Sequence, residues 1–314
     1  MIAFGIVLVL LAAFLYSRLK TAEAEKKYPP LGEFVSADGV RMHAVRRGSG
    51  RPVVFIHGGF GSSYDFTLSF FDRASSRYDC LAVDRPGHGY SQRPRKKDMT
   101  VFDHAHYIFE TVKALKIERP VLVGHSLGGA VALAYALEHP DDVAGLMMIN
   151  GYLTPFTGPI HPIHTASAVP LFGPLYLHAL VRPLGNLFTG SIGRKVFYPE
   201  NPPADYLKTA TALAMRPAHF SANAADVRHL CKGLRQMIPR YSEIRCPVVL
   251  LAGDSDLIAP MSRHAEAFAR AVPHAEILIL KEGAHQPCFS MAEDVLAALD
   301  RTWEKAAAEG TKKL

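Results

Sequence analysis

The stretch that decides the fold reads VLVGHSLGGA, from Val121 to Ala130. A short apolar run ends in a turn of the form Gly-x-Ser-x-Gly, and a helix-like pattern follows the turn at once. Small residues at the two flanking positions let the backbone turn sharply, so that the hydroxyl of Ser126 stands clear of the sheet. The N–H groups at the start of the next helix would point at the same place. We therefore predict that Ser126 is a nucleophile, with a structural turn serine as the alternative.

Apolar runs of the same kind recur along the chain and stop at glycine or polar residues. They are PVVFIHGG, CLAVDRPGHG, GLMMING, PVVLLAGD and EILILKEG. The runs are short, rich in β-branched residues and without alternation, which is typical of strands that helices cover on both faces. Helix-length segments, such as residues 101–115 and 128–137, lie between them. This order predicts an α/β fold with a parallel sheet, right-handed crossovers and a site at the carboxyl ends of the strands. Before this series, the Asp38-Gly39 pair between two strand-like runs predicts a hairpin.

A serine hydroxyl needs a base, and the base needs a carboxylate that orients it. Of the 15 histidines, His285 alone lies in the last loop between a strand and a helix, directly after EILIL. We predict that His285 is the base. His57, His88 and His125 are flanked by glycine in other strand-end loops, and we expect them to hold these loops by hydrogen bonds.

The acid is expected in LLAGDSDLIAP, where Asp254 and Asp256 both follow a strand-like run. One of them would orient His285, and the other would cap a turn or the next helix. The spacing from Gly253, and the Leu-Ile-Ala-Pro that follows, favour Asp256. Asp254 stays the alternative.

Negative charge that develops on a substrate oxygen needs backbone N–H groups aimed at it, in an oxyanion hole. One such group is expected from Leu127, directly after the predicted nucleophile. The other is expected from the glycine-rich HGGFGSS, at Gly59 or Phe60. A plain turn at this place is the alternative.

The amino terminus, MIAFGIVLVLLAAFLYS, is an uninterrupted apolar stretch at the short end of a membrane span. We predict a transmembrane anchor over residues 1–20 and a polar linker over residues 21–31. A cleaved secretory signal is the alternative, because Ala22 to Ala24 fits a cleavage site, although no Lys or Arg precedes the apolar run. Basic residues follow the span, which by the positive-inside rule puts the catalytic body in the cytoplasm. A secreted or periplasmic location is less favoured.

Composition limits the partners. The net charge is +6 at pH 7, and the sequence contains no basic stripe with interleaved aromatic residues, which argues against nucleic-acid binding. The four cysteines are scattered without a CxxC spacing, so they predict neither a metal site nor a disulfide framework. The expected partners are a small-molecule substrate and, through the amino-terminal helix, a membrane.

One segment breaks the alternation of strands and helices. Residues 151–240 contain no clear buried strand, and no Asp or Glu occurs from Val143 to Pro199. A solvated loop of this length would be charged. We predict a helical cap over residues 151–240 that covers a pocket, inserted into a core formed by residues 32–150 and 241–314. Ordinary helical packing on the core is the alternative.

Five of these loops, in this order, resemble those of the α/β-hydrolase-fold serine hydrolases, and the resemblance covers roughly Gly32 to Trp303. The matching segments are His57 to Gly59 (oxyanion loop), Asp84 to Ser91 (D-x-P-G-x-G-x-S loop), Gly124 to Gly128 (nucleophile elbow), Gly253 to Pro260 (acid loop) and Gly283 to His285 (histidine loop). The resemblance implies a mostly parallel central sheet of about eight strands with helices on both faces and a helical cap. It also implies an esterase, lipase, lactonase or thioesterase.

The same resemblance separates related chemistries. Haloalkane dehalogenases and epoxide hydrolases share these loops but carry Asp at the nucleophile, so Ser126 argues against both. Carbon–carbon bond hydrolases share the Ser-His-Asp set and often have Asn where this chain has His125.

The function that we expect is hydrolysis of a carboxylic ester, with apolar or lipid-like acyl substrates, through a Ser126, His285 and Asp256 triad and without a metal or organic cofactor. One alternative is carbon–carbon or thioester cleavage by the same triad. Another is a ligand-binding or receptor protein on a hydrolase scaffold.

Overall fold

The computed structural model describes residues 1–96 and 98–312, without the side chains of residues 186–188 and 310–312. Residues 313–314, which the sequence assigns to the end of the core, lie outside the described residues. Within these ranges one sheet contains eight strands, in the order β1-β2-β4-β3-β5-β6-β7-β8. The strands are β1 (Glu33–Ala37), β2 (Val40–Arg47), β3 (Pro52–Ile56), β4 (Asp79–Val83), β5 (Val121–His125), β6 (Gly145–Ile149), β7 (Val248–Gly253) and β8 (Glu276–Leu280). Strand β2 runs antiparallel to β1 and β4, and the other pairings are parallel, which confirms the predicted mostly parallel α/β fold.

Helices account for most of the remaining described chain. They are α1 (Ile2–Lys27), α2 (Tyr64–Thr67), α3 (Phe71–Ser75), α4 (Val101–Ala114), α5 (Leu127–Glu138), α6 (Pro162–Thr165), α7 (Phe172–Leu175), α8 (Val181–Phe197), α9 (Ala204–Ala214), α10 (Pro217–Met237), α11 (Ala265–Ala271) and α12 (Ala292–Lys312). A π-helical turn, Tyr176–Leu180, joins α7 to α8. The crossovers between parallel strands therefore carry helices, as the alternating sequence pattern predicts.

The predicted hairpin is formed by β1 and β2. Ala37 pairs with Val40, so Asp38 and Gly39 alone make the turn. Both residues have positive φ, 47° for Asp38 and 75° for Gly39. A two-residue hairpin turn of type I′ requires this combination, and an Asp-Gly pair adopts it readily.

The central strands are buried on both faces, which explains why their sequences do not alternate. Successive side chains of a strand point to opposite faces of the sheet. Val54 and Ile56 of β3 pack in one apolar cluster with residues of α4 and α5. Val53 and Phe55 pack in a second cluster with residues of α3 and α12. Both faces therefore exclude water, and an apolar side chain is needed at every position.

Helices α6 to α10 form an insertion between β6 and β7. Its own apolar cluster includes Val181, Ala214 and Phe220, and Phe60 from the loop after β3 packs against this cluster. The insertion therefore reaches the carboxyl edge of the sheet. The exact division into a core and a cap at residues 151–240 stays a prediction.

A buried cluster of charged side chains joins α10 to the loop after β4. The Asp226 carboxylate accepts hydrogen bonds from Arg85 Nη1 at 2.8 Å and from Arg93 Nη1 at 2.7 Å. His104 Nε2 lies 2.9 Å from the same carboxylate. Burial alone would raise the pKa of Asp226, but His104 and the two arginines hold it below its ordinary value. This carboxylate is therefore ionised and fixes α10 on the sheet.

Helix α1 has two different halves. From Ile2 to Leu15 its large apolar side chains are mostly exposed, whereas Ser17 and Ala24 are buried against the insertion. The helix is long and apolar enough to cross a membrane, by length and composition, and a signal sequence would pass the same test. The helix continues through Lys27, over most of the predicted linker at residues 21–31, because TAEAEKK is rich in strong helix formers.

Candidate active site

Ser126 lies at the sharp turn between β5 and α5. Its φ is 53° and its ψ is −119°. Residues other than glycine rarely adopt this backbone conformation, which occurs at strained functional turns. Gly124 and Gly128 flank it because a Cβ on Gly124 would collide with the carbonyl of Gly128, and a Cβ on Gly128 would collide with the carbonyl of Ile56. The Gly-x-Ser-x-Gly pattern is therefore a steric requirement of this turn.

His285 and Asp256 are paired in the loops after β8 and β7. The distance from His285 Nδ1 to Asp256 Oδ2 is 2.7 Å. The other carboxylate oxygen, Oδ1, accepts hydrogen bonds from the N–H groups of Ile258 at 2.7 Å and Ala259 at 2.8 Å. Burial alone would raise the pKa of Asp256, but the His285 contact and these two N–H groups lower it. The pair thus consists of an ionised carboxylate and an oriented imidazole.

Asp254 lies apart from this pair. Asp254 is exposed, and its carboxylate accepts a hydrogen bond from Ser255 Oγ at 3.2 Å. Of the two acids that the sequence offers, the structure brings Asp256 to His285 and leaves Asp254 in solvent.

His285 also lies beside the serine turn. The ring centroids of His285 and His125, the residue before Ser126, are 5.0 Å apart. Among the described residues no hydrogen bond links the Ser126 hydroxyl to the His285 ring. Contacts of this kind are often long before substrate binds and shorten in the complex with substrate.

His125 holds the histidine loop, as expected. Its Nε2 lies 2.8 Å from the carbonyl oxygen of His285, so this nitrogen carries the proton and donates. Burial lowers the pKa of His125 to about 3, and the nearby His285 adds to the effect. His125 is therefore neutral and serves as a fixed hydrogen-bond donor.

His57 holds the loop after β3 by hydrogen bonds through both of its ring nitrogens. Its Nε2 accepts a hydrogen bond from the Arg85 N–H at 2.9 Å, and its Nδ1 donates to the Gly58 carbonyl at 2.9 Å. Burial, aided by the charge of Arg85, lowers the pKa of His57 to about 3. The loop that carries the predicted oxyanion residues is thereby tied to the loop after β4.

Asn150 is a member of the site that the sequence reasoning missed. Its Nδ2 donates to the carbonyls of Ala284 at 2.9 Å and His285 at 3.0 Å. Its Oδ1 accepts from the Gly253 N–H at 2.8 Å. This single side chain at the end of β6 therefore sets the spacing between the acid loop and the histidine loop. The only signal in the sequence was a polar residue directly after the apolar run GLMMI.

The predicted oxyanion residues lie on two segments, the start of α5 and the loop after β3. Leu127 directly follows Ser126 and begins α5. A Cβ on Gly58 would lie 3.0 Å from the Ser126 Cβ, which is tighter than most such contacts, so glycine favours the close approach of this loop to the serine. Phe60 has a φ of 55°, and its N–H donates to Asn223 Oδ1 at 2.6 Å. The two candidates in this loop for the oxyanion hole are the N–H groups of Gly59 and Phe60. The N–H of Phe60 is already bound to a side chain of the insertion.

Asn223, on α10, was also missed by the sequence reasoning, because α10 carries no recognised motif. Its side chain is fully buried, and its Nδ2 has no hydrogen-bond partner among the described residues. The insertion touches the histidine loop as well, where the Gln286 N–H donates to the Val196 carbonyl at 3.2 Å. With Ser126 only 6% exposed and His285 only 4% exposed, the site is closed to solvent in this conformation.

Metal ligands do not converge on the site. In the ranges that the structure describes, no group of three or more His, Cys, Asp or Glu side chains has an arrangement that could hold a metal ion. The four cysteines are free thiols, and Cys80 and Cys288 are buried. The chemistry of the described arrangement is that of an oriented imidazole next to a strained serine.

The chain matches known proteins over this same region. A family model described as the alpha/beta hydrolase fold matches residues 51–290. An uncharacterized protein of Mycobacterium tuberculosis (strain ATCC 25618 / H37Rv) is 28% identical over 269 residues, which is 82% of this chain and 77% of that protein. RutD of Escherichia coli O81 (strain ED1a), a protein named for carbamate hydrolysis, is 27% identical over 79% of this chain and 89% of its own.

A solved structure of similar length matches this chain over nearly its whole length. It is described as a membrane phospholipase A, a novel bacterial virulence factor, and it superposes with a TM-score of 0.68 at 24% sequence identity. The match covers 96% of this chain and 99% of that one. This coverage leaves too few residues unmatched to omit all of α1.

Proposed function

The chain belongs to the α/β-hydrolase family, and on this basis we propose that it is a serine hydrolase that cleaves carboxylic esters, with lipid-like acyl substrates preferred. The observation that carries the proposal is the 2.7 Å contact between His285 Nδ1 and Asp256 Oδ2 beside the strained turn at Ser126. A binding protein would not require a serine held at positive φ next to an oriented imidazole.

The proposed reaction has two steps, formation of an acyl-enzyme and its hydrolysis, and His285 acts in both. Ser126 Oγ attacks the ester carbonyl, while His285 Nε2 takes its proton and returns it to the leaving alcohol. Asp256 holds the imidazole in the correct tautomer and stabilises its charged form. Water, activated by the same histidine, then releases the acyl group from Ser126.

The proposed oxyanion hole consists of the N–H groups of Leu127 and Gly59. We prefer Gly59 to Phe60 because the Phe60 N–H already donates to Asn223 Oδ1 at 2.6 Å. Phe60 would contribute only if the insertion moved and released this bond. Asn223 then acts as a positioning residue that fixes the conformation of the loop.

Three observations support a lipid-like substrate. The apolar half of α1 is exposed, and Leu171 in the insertion is 95% exposed. The π-helical turn after α7 packs on α1, where the ring centroids of His178 and Phe14 are 6.2 Å apart. The exposed apolar edge of the insertion is therefore continuous with α1. A structure named as a membrane phospholipase A matches the chain over nearly its full length.

We assign α1 as a retained membrane anchor rather than a cleaved signal, with the catalytic body on the cytoplasmic side. Arg182 Nη2 donates to the Lys20 carbonyl at 3.2 Å, and Arg216 Nη1 lies 3.3 Å from the Glu25 carboxylate. Cleavage near Ala24 would remove the first of these contacts and expose the face of the insertion that packs on α1. The basic residues after the apolar half give the orientation.

Labelling with a fluorophosphonate probe tests the catalytic proposal. We expect labelling of the intact chain, no labelling of Ser126→Ala, and strongly reduced labelling of His285→Ala and Asp256→Asn. Asp254→Asn is the matched control and should label normally. A series of ester chain lengths, with and without lipid vesicles, then tests the lipid preference. Thioester and carbamate substrates in the same series test the other bond types.

Some outcomes would contradict the proposal. Labelling that survives Ser126→Ala would remove the proposed nucleophile. A folded chain that binds apolar ligands but neither labels nor turns over any substrate would favour the receptor alternative. Turnover only of short soluble esters, unaffected by vesicles, would contradict the lipid preference alone.

A further inference from the structure

A groove separate from the proposed active site lies between α1 and the insertion. It has a volume of about 550 Å³, and its walls are the second half of α1 and helices α8 and α9. This is within the size range of pockets that bind small molecules. On α1 the lining residues Tyr16, Lys20 and Lys27 share one face of the helix, because they are spaced at intervals close to whole turns. No step of the proposed reaction uses this groove.

Positive charge dominates its lining. The lining includes the cationic side chains of Lys20, Lys27, Arg182 and Lys208, whereas Glu23 is its one carboxylate among the described residues. Glu23 is occupied by Lys20 at 2.6 Å. The nearest carboxylate to Lys208 is Asp205 at 3.5 Å, and the Asp205 side chain is almost fully exposed. These two carboxylates offset only part of the charge of the four cations, and the groove keeps a net positive charge.

Among the four cations of the groove, Arg182 gives the strongest reason for an anion to bind there, because its side chain is buried. Its guanidinium donates to the carbonyls of Ala212 at 2.9 Å, Thr211 at 3.3 Å and Lys20 at 3.2 Å. Among the described residues, no carboxylate lies within 4 Å of it. A buried cation without an anionic partner is unfavourable, and an anion in the groove would remove that penalty.

The position of the groove selects the kind of anion. Tyr16 stands at the end of the exposed apolar half of α1, and the cations follow over the next three turns. Tyrosine is enriched at the membrane–water interface, and basic side chains are enriched on its cytoplasmic side. The groove would thus lie at the depth of lipid headgroups. At this depth anionic lipids attract basic segments, and basic pockets between helices bind anionic headgroups.

We infer that this groove binds the phosphate-bearing headgroup of an anionic phospholipid, as a lipid site distinct from the catalytic one. The phosphate oxygens accept hydrogen bonds from the Lys27 and Lys208 ammonium groups and gain from the charge of Arg182. A bound lipid would hold α1 against α8 and α9. The inference depends on the proposed membrane location of α1.

Native mass spectrometry of the full chain in nonionic detergent provides the test. The probes are phosphatidylglycerol and phosphatidylcholine with the same acyl chains, added to delipidated Ser126→Ala protein so that no lipid is hydrolysed. We expect one phosphatidylglycerol to be retained per chain, with phosphatidylcholine needed at much higher concentration. The double variant Lys27→Gln/Lys208→Gln should weaken phosphatidylglycerol binding by about tenfold or more. Lys116→Gln/Lys281→Gln, two exposed lysines outside the groove, is the matched control and should bind normally.

Three results would overturn the inference. These are equal retention of the two lipids, an equal loss in the control variant, and displacement of phosphatidylglycerol by inorganic phosphate at matched phosphate concentration. The last result would identify a free-anion site. Because the catalytic serine is absent in this assay, retention is independent of the proposed hydrolysis. Alkaline extraction of membranes tests the anchor separately: release of the chain would contradict the anchor without deciding the lipid comparison in detergent.

Discussion

The buried ion cluster around Asp226 and the groove beside α1 are both rich in charge, but they satisfy it differently. Asp226 is enclosed and has Arg85, Arg93 and His104 within 3 Å. The lysines of the groove are largely exposed, and its buried arginine has only carbonyl partners. A buried charge that is paired inside the protein fixes the fold, whereas a charged groove that is open to solvent is available to a ligand. The same distinction separates the paired Asp256 from the exposed Asp254.

The largest effects are expected where a buried charged pair carries chemistry. Asp256→Asn should lower kcat for an ester substrate by about 10⁴-fold, because the imidazole loses its orienting carboxylate. Asp254→Asn should leave kcat within about twofold, as expected for an exposed side chain without a partner in the site. Steady-state kinetics with a soluble ester measures both variants. Equal losses would mean that the two acids share the role, and the contrast between buried and exposed carboxylates would fail at the site.

The next largest effect is expected on folding stability. Asp226→Ala should reduce the free energy of unfolding by about 3–5 kcal/mol, because Arg85 is left buried without its carboxylate. Asp205→Ala, at an exposed position beside the groove, should change it little. Chemical denaturation followed by circular dichroism measures both. A small loss in Asp226→Ala would show that water enters the cluster, and would weaken the comparison that opens this Discussion.

A third effect concerns Asp65, a buried carboxyl group with no cationic partner within 4 Å among the described residues. In contrast to replacement of Asp226, replacing Asp65 should stabilise the folded chain at neutral pH. Burial raises the pKa of Asp65 from 3.8 to about 7. Between these values the folded chain binds more protons than the unfolded chain, so this group makes stability fall as pH rises from about 4 to about 7. The loss should be roughly 4 kcal/mol, at about 1.4 kcal/mol for each pKa unit, and should level off above pH 7.

Asp65→Asn tests this prediction. The variant should abolish that part of the pH dependence and should be more stable than the parent chain at pH 8. Unfolding free energies measured from pH 4 to pH 8 decide it. The same slope in both proteins would exclude Asp65 as its source.

The smallest effect should come from Asn223. Loss of the acceptor for the Phe60 N–H should lower kcat by about fivefold, since one hydrogen bond to an ordered loop is worth about 1 kcal/mol. Asn223→Asp keeps the acceptor and should retain more activity than Asn223→Ala, whereas a purely structural role would be seen in stability rather than in kcat. Asn201→Ala, on the exposed turn between α8 and α9, is the control. An Asn223→Ala enzyme with higher kcat would mean that Asn223 blocks the oxyanion hole in the closed state.

The sheet could be predicted from the sequence because its strands are buried on both faces and each ends at a residue with a steric role. Gly124 and Gly128 are required by backbone contacts within a few residues, so their pattern is local and readable. The order of the loops placed Ser126, Asp256 and His285 at one edge of the sheet. The sequence also indicated the first part of the insertion by the absence of Asp and Glu from Val143 to Pro199, and α1 by its length and apolar character.

Tertiary structure decided what depends on partners distant in the chain. Asn150 and Asn223 contact loops that lie 103 to 163 residues away in the chain, and no local pattern predicts such a contact. The spacing in the sequence favours Asp256 over Asp254, but only the fold shows that the Asp256 carboxylate contacts His285 while Asp254 is exposed. The groove required α1, α8 and α9 to pack together, because cations scattered over three helices form a site only when folding brings them to one surface.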